Sequence, residues 1–219
     1  MTGRTPYYCD EAVTLYHGDC LEITEWRAAD VLITDPPYGI AWPSKRLASN
    51  RAKRQAAVPS IIGDQDTTAR DLMLMAWGKK PSIVFGTWRN PLPLKPTHRL
   101  IWHKAGRFPG VSPAPFYSND EEIWLIGSGW QGTPTPTVLT TTEVRSLQPA
   151  RVGHPTPKPI GLMERLIAKV PAGVIADPFA GGGATLIAAR NQGRKAIGVE
   201  IDERYCEIIA KRLAQGLLL

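Results

Sequence analysis

The sequence predicts an α/β fold built on a doubly wound, mostly parallel sheet. Short apolar runs bounded by charge, such as Asp30-Val-Leu-Ile-Thr-Asp35, have the composition of strands buried on both faces. Segments with apolar residues at helical spacing fall between these runs, so strand and helix alternate along the chain. A glycine-rich turn, Asp177-Pro-Phe-Ala-Gly-Gly-Gly-Ala-Thr185, joins one such strand to a helix.

In chain order, Ala12–Tyr16 alternates and reads as a strand, and Leu21–Trp26 reads as a helical turn. The strand ending at Asp35 stops because Pro36 and Pro37 carry no amide hydrogen for a ladder. Residues 41–63 lack periodicity and read as a loop with a helical piece near 48–57. Leu72, Met73, Met75 and Ala76 give Thr67–Trp77 a helical pattern. Ser82–Phe85 and Arg99–Trp102 read as two buried strands and Glu122–Ile126 as a third. Residues 127–149, rich in Gly, Thr and Pro, read as an irregular excursion. Ile160–Val170 is a predicted helix with Leu162, Met163, Leu166 and Ile167 on one face. Val174–Asp177 and Ala196–Glu200 are predicted strands, and Ala184–Asn191 and Glu203–Leu213 are predicted helices. No internal repeat is present, and 219 residues fit a single domain, 1–219, that can bury its own core.

Composition excludes several classes. With 43% hydrophobic and 21% charged residues, the chain is not of the disordered type. No apolar run approaches the ~20 residues needed to cross a bilayer, so no membrane partner is expected. Met1–Asp10 lacks the layout of a signal peptide, and a cytoplasmic location is expected. Cys9, Cys20 and Cys206 have no CxxC spacing, which argues against a disulfide framework and against a metal site. The net charge of +6 is unevenly spread. Lys45, Arg46, Arg51, Lys53 and Arg54 form one stretch without acids. Lys79, Lys80, Arg89, Lys95, Arg99, Lys104 and Arg107 form another. Such asymmetry points to a polyanion partner, of which nucleic acid is the usual one.

The glycine-rich turn carries the first chemical signal. Glycines let backbone approach a ligand closely, and the following helix offers free N–H groups at its start. Glu200 lies 23 positions after Asp177 at the end of the next strand, the spacing at which an acid grips ribose hydroxyls. The unit is therefore expected to hold an adenosine-bearing cofactor. An acid at the strand tip repels a pyrophosphate and suits a ligand ammonium, which tilts the choice from NAD toward S-adenosylmethionine.

The second signal is Asp35-Pro-Pro-Tyr38 at the end of a buried strand. A carboxylate beside the Pro36 carbonyl can accept both hydrogens of one planar amino group, and Tyr38 offers a face on which a base can stack. The arrangement suits a flipped-out base whose exocyclic amine is the nucleophile.

These two motifs together resemble the amino-group DNA methyltransferases, which methylate adenine N6 or cytosine N4. The tetrapeptide precedes the cofactor turn, an order similar to the β class of these enzymes, so a circularly permuted methyltransferase sheet is implied. His17-Gly-Asp-Cys-Leu21, Leu100-Ile-Trp-His-Lys104, Asp120-Glu-Glu-Ile-Trp124, His154-Pro-Thr-Pro-Lys-Pro159 and Gly198-Val-Glu-Ile-Asp202 resemble further family segments in the same order. The resemblance spans most of residues 14–214.

What the resemblance implies can be assigned residue by residue. Asp35, Pro36, Pro37 and Tyr38 are the implied catalytic tetrapeptide. The cofactor is S-adenosylmethionine, with Asp19 near its adenine, Asp177 near its ammonium, and Phe179, Ala180 and Gly181 along its methionine part. Gly183 and Thr185 complete that turn, Glu200 takes the ribose hydroxyls, and Thr156 and Lys158 help hold the methionine end. The implied reaction is direct methyl transfer without a covalent enzyme intermediate; the three cysteines read as small packed residues. The implied partner is double-stranded DNA, with Arg46, Arg51, Lys53, Arg54, Lys104 and Arg107 contacting phosphates; Trp42 and Trp130, read as loop residues, are open to DNA or a protein partner. The excursion 127–149 falls where family members carry a target-recognition region, and it is short here. A homodimer is also allowed, since enzymes of this class often pair. Asp at the first tetrapeptide position favours adenine N6 in DNA; cytosine N4 is the alternative, and an inactive cofactor- or DNA-binding relative is a further one.

Overall fold

The computed structural model describes residues 4–40, 62–105, 116, 118–142 and 157–215. Among these, one nine-stranded sheet organises the molecule. The strands are β1 (Tyr8–Cys9), β2 (Val13–His17), β3 (Val31–Thr34), β4 (Ser82–Gly86) and β5 (His98–Lys104), then β6 (Asp120–Ile126), β7 (Val138–Thr141), β8 (Ile175–Asp177) and β9 (Ala196–Glu200). Their spatial order is β1-β2-β9-β8-β3-β4-β6-β5-β7. Strands β2, β9, β8, β3 and β4 run parallel, while β6 pairs antiparallel with β4 and β5 at one end. The helices are α1 (Thr68–Trp77), α2 (Ile160–Ile167), α3 (Ala184–Asn191) and α4 (Glu203–Gln215).

Alternation along the strands divides the core between two faces. Val31 and Ile33 face a cluster with Leu162 and Leu166 of α2, Leu186 of α3, and Ile209 and Leu213 of α4. Leu32 and Val84 face the opposite cluster with Met73, Leu74 and Trp77 of α1 and Trp26 of a 3-10 turn at Glu25–Ala28. Trp26 and Trp77 stack there with centroids 5.7 Å apart. Covered faces on both sides explain why all four residues of β3 and all three of β8 are buried.

The connections fix where a site can form. From β3 the chain passes through α1 to β4 on one side, and from β8 through α3 to β9 on the other. Strands β3 and β8, remote in sequence, are parallel neighbours, with Val31 opposite Ile175 and Leu32 opposite Ala176. This is a topological switch point, where a crevice opens outside the carboxyl ends of the strands.

Two expectations need correction, and one strand is new. Residues 127–149 are not irregular throughout: Val138–Thr141 forms β7, which pairs parallel with β5. Its short β-branched run is masked in the sequence by flanking Thr, Pro and Gly. The predicted buried strand at Arg99–Trp102 is longer, and its first half is exposed or half-buried. The pair Tyr8–Cys9 adds an antiparallel edge strand that two residues cannot signal by pattern. The expected helical piece at 48–57 lies outside the described residues. No helix among them is long and apolar enough to cross a membrane.

Candidate active site

The carboxyl ends of β2, β9, β8, β3 and β4 bring His17, Glu200, Asp177, Asp35 and Gly86 to one edge of the sheet. The two motifs of the sequence meet at its centre. Thr34 Oγ1, the residue before Asp35, donates a hydrogen bond to Asp177 Oδ1 at 2.8 Å.

On the glycine side, Glu200 organises the turn. Its Oε2 accepts from Gly181 N–H at 2.7 Å and its Oε1 from Asp202 N–H at 2.9 Å. A carboxylate has about four lone-pair sites, so two remain for a ligand diol. Burial raises Glu200 to about 7 against the pull of these two amides. Gly181 and Gly183 take φ of +52° and +79°, the left-handed region open to glycine. A Cβ on Gly183 would lie 2.8 Å from Ile209 Cγ1. Gly183 caps α3 without a side-chain hydrogen bond, leaving the first amides of that helix as donors suited to a ligand carboxylate. Ala180 is buried and Phe179 half-buried beside the turn. Asp19 sits at the adjoining end of β2, where its Oδ1 accepts from Leu21 N–H. Acceptors for a diol, donors for a carboxylate and an apolar wall match the parts of S-adenosylmethionine.

Asp177, expected near the ammonium of the cofactor, is held by protein donors. It is 2% exposed, and its oxygens serve Thr34, Phe179 N–H and Thr185. Burial raises it to about 6 despite those donors. It ties the cofactor turn to β3 rather than presenting an open carboxylate.

On the tetrapeptide side, the Tyr38 hydroxyl lies 2.7 Å from Asp35 Oδ1, to which it donates, and 3.2 Å from Glu121 Oε2. Lys158 pairs with Asp35 Oδ2 and lies 3.1 Å from Glu121 Oε2. Lys104 pairs with Glu121 Oε1. The Lys158 ammonium rests among three rings, 4.9 Å from the centroid of Phe85, 5.7 Å from Tyr38 and 5.8 Å from Trp102. Burial alone would lower Lys158, but the Asp35 and Glu121 carboxylates outweigh it and hold the lysine above its ordinary value. Burial pushes Asp35 upward and Glu121 adds to it, while Lys158 and Tyr38 oppose.

Lys158, expected to help hold the methionine end of the cofactor, sets its ammonium on Asp35. Lys104 was expected on DNA phosphates; it is 5% exposed and engaged with Glu121 and the Trp102 ring, so it is an internal cation. Trp130, expected to be open to DNA or a protein partner, is partly buried and packs against the core. Thr156, Arg46, Arg51, Lys53, Arg54, Arg107 and Trp42 lie outside the described residues.

Three supports escape sequence reasoning. Asn90 Nδ2 donates to the carbonyls of Tyr38 at 2.7 Å and Gly39 at 3.3 Å. Arg70, 2% exposed, donates to the carbonyls of Asn90 and Pro91, both at 2.8 Å. The two residues brace the tetrapeptide from behind. Glu121 is the third; its strand was singled out, but one of three adjacent acids cannot be chosen from pattern alone. The buried Cys20 and Cys206 thiols are both pushed to about 12 by burial, which suits packing and not nucleophilic attack.

The profile of a DNA methylase family of the N6/N4 type matches residues 94–211. The chain is 27% identical to the type II methyltransferase M.ScaI of Streptomyces caespitosus, over 95% of this chain and 83% of that enzyme. Among solved structures, the M1.HpyAVI–SAM complex is similar with a TM-score of 0.59 at 22% identity, covering 91% of this chain and 99% of the other. The cytosine-N4-specific PvuII DNA methyltransferase is similar with a TM-score of 0.62 at 15% identity, covering 95% and 88%. At these identities the structural likenesses establish the fold.

Proposed function

The chain belongs to the N6/N4 family of DNA methylases, and we propose that it transfers a methyl group to the exocyclic N6 of adenine in double-stranded DNA. It is a DNA methyltransferase, and its cofactor is S-adenosylmethionine. The observation that carries the reading is the joining of the Asp35 tip to the Asp177 turn through Thr34, which sets an amine-accepting carboxylate beside a cofactor cradle on one edge of the sheet.

S-adenosylmethionine, when bound, supplies an electrophilic methyl group. Glu200 accepts from the ribose hydroxyls with its two remaining lone-pair sites, and the first amides of α3 meet the methionine carboxylate. Asp35 and the Pro36 carbonyl accept the two N–H bonds of the target amine. Its lone pair, otherwise delocalised into the base ring, is thereby localised toward the methyl group. Tyr38 stacks on the flipped base, and Asn90 and Arg70 hold it in register. The amine proton passes to Asp35 as the new C–N bond forms and the S–CH3 bond breaks, the sulfur keeping that electron pair and leaving as S-adenosylhomocysteine. Positioning and electrostatics supply most of the rate, as expected for in-line transfer between held groups.

Asp at the first tetrapeptide position supports adenine. The N4-cytosine alternative has its own support, because an N4-specific enzyme shares this fold. In the proposed DNA complex phosphates meet Arg46, Arg51, Lys53, Arg54 and Arg107, and residues 127–149 contribute to recognition. A homodimer would supply further contacts.

The deciding experiment is incubation of purified protein and S-adenosylmethionine with unmethylated duplex DNA, followed by nucleoside mass spectrometry. N6-methyladenine is expected. N4-methylcytosine would move the assignment to the alternative base, and 5-methylcytosine would contradict the mechanism.

A further inference from the structure

The Lys158 ammonium occupies the contacts that a target amine would need. It donates to Asp35 Oδ2, lies over the Tyr38 ring and is 3.5 Å from the Tyr38 hydroxyl. It is also 7% exposed, so it cannot leave Asp35 without another anion to receive it. Resting on the methyltransferase reading above, we propose that Glu121 is a positioning residue for the transfer, retaining the Lys158 ammonium while the target amine takes its place on Asp35.

Geometry supports this role. Glu121 Oε2 is already 3.1 Å from Lys158 Nζ, so a small shift exchanges one carboxylate for the other. The second oxygen of Glu121 is held by Lys104 from β5, which in turn lies 4.6 Å from the Trp102 centroid. Lys104 thereby holds Glu121 in place beside Lys158. The Tyr38 hydroxyl, 3.2 Å from Glu121, keeps both carboxylates in one network. The groups facing Lys158 are Asp35 and Tyr38 from the β3 tip and Glu121 from β6, with Lys104 behind Glu121 and Asp177 beyond Asp35. With glutamine at position 121, Lys158 keeps Asp35 as its one ion-pair partner among the described residues, and the Asp35–Lys158 pair closes against the substrate.

The test combines three readouts on the full chain. They are calorimetric S-adenosylmethionine affinity, the single-turnover rate of tritiated methyl transfer to unmethylated DNA, and the titration midpoint of Lys158 followed by its ¹³Cε shift without DNA. For Glu121→Gln, affinity is expected within about twofold of wild type while transfer slows about tenfold or more. The Lys158 midpoint falls, and Glu121→Asp recovers part of the rate. In a Lys158→Met background the same Gln substitution adds less than about threefold, because its effect runs through Lys158. Transfer at the wild-type rate in Glu121→Gln, an equal penalty in the Lys158→Met background, or an unmoved Lys158 midpoint would each overturn the proposal. A wild-type protein that leaves DNA unlabelled removes the methyltransferase reading instead, and the Lys158 midpoint still decides whether Glu121 holds that ammonium.

Discussion

Thr34 Oγ1 donates to Asp177 Oδ1 at 2.8 Å, linking residues 143 positions apart at the switch point of the sheet. Both groups are buried, Thr34 at 0% and Asp177 at 2% exposure, so the bond has no competition from water. It couples the position of Asp35 to that of the cofactor turn. Thr34→Val keeps the shape and removes the donor. The expected loss is about 1–3 kcal/mol of stability, since a buried acceptor is left one partner short. Urea denaturation checks it; an unchanged midpoint would show that the contact carries no energy.

Glu200 predicts a pH dependence of cofactor binding. Its folded value is about 7 against an ordinary 4.5, raised by burial. A ribose diol donates best to the ionised form, so affinity rises with pH. From pH 8 to pH 6 the dissociation constant should weaken about tenfold by linkage to one titrating group. Glu200→Gln should bind weakly with a flat profile over the same range. Calorimetry at the two pH values decides the matter, and a pH-independent wild type would remove Glu200 from cofactor binding.

The same burial sets the stability of the ligand-free protein. Glu200 and Asp177 both have folded values above their unfolded ones, 7 against 4.5 and 6 against 3.8. The folded state therefore binds more protons in those windows, and the contribution is present at low pH and lost as pH rises. For Glu200 the loss runs from about pH 4.5 to 7. Glu200→Gln should thus raise the melting temperature of ligand-free protein at pH 8. A lowered melting temperature would mean that its hydrogen bonds to Gly181 and Asp202 outweigh the burial of charge.

Gly183 combines a left-handed φ of +79° with close packing against Ile209. Gly183→Ala should destabilise by about 2–4 kcal/mol, from backbone strain and overpacking together. Thermal unfolding monitored by far-UV dichroism measures it, and a loss below about 0.5 kcal/mol, the scale of a neutral surface change, would contradict the packing described here.

Much of the parallel half of the sheet is legible in the sequence because its strands are buried on both faces. Continuous apolar runs such as Val31–Thr34 and Ala196–Glu200 then mark themselves, and the glycine turn marks the crossover from β8 to β9. The other end of the sheet is less legible. Strand β7 has exposed positions at Val138 and Thr140 and Pro and Gly nearby, so neither periodicity nor composition separates it from a loop. At the site, Asp35, Tyr38 and Glu200 announce themselves through local motifs. Arg70, Asn90 and Glu121 act through contacts 20 to 83 residues away along the chain, which local pattern cannot register. Lys158 shows the limit most clearly. Its segment is recognisable, but which carboxylate its flexible stem reaches is decided by the packing of Phe85 and Trp102.

The most direct test of a shared methyl-transfer site is Asp35→Ala, assayed beside wild type for S-adenosylmethionine binding and for tritiated methyl transfer to unmethylated duplex DNA. Cofactor affinity should stay within a few-fold of wild type while transfer falls by at least about 10²-fold, the scale of a lost transition-state contact. Labelled DNA formed at the wild-type rate by the alanine variant would contradict the central claim.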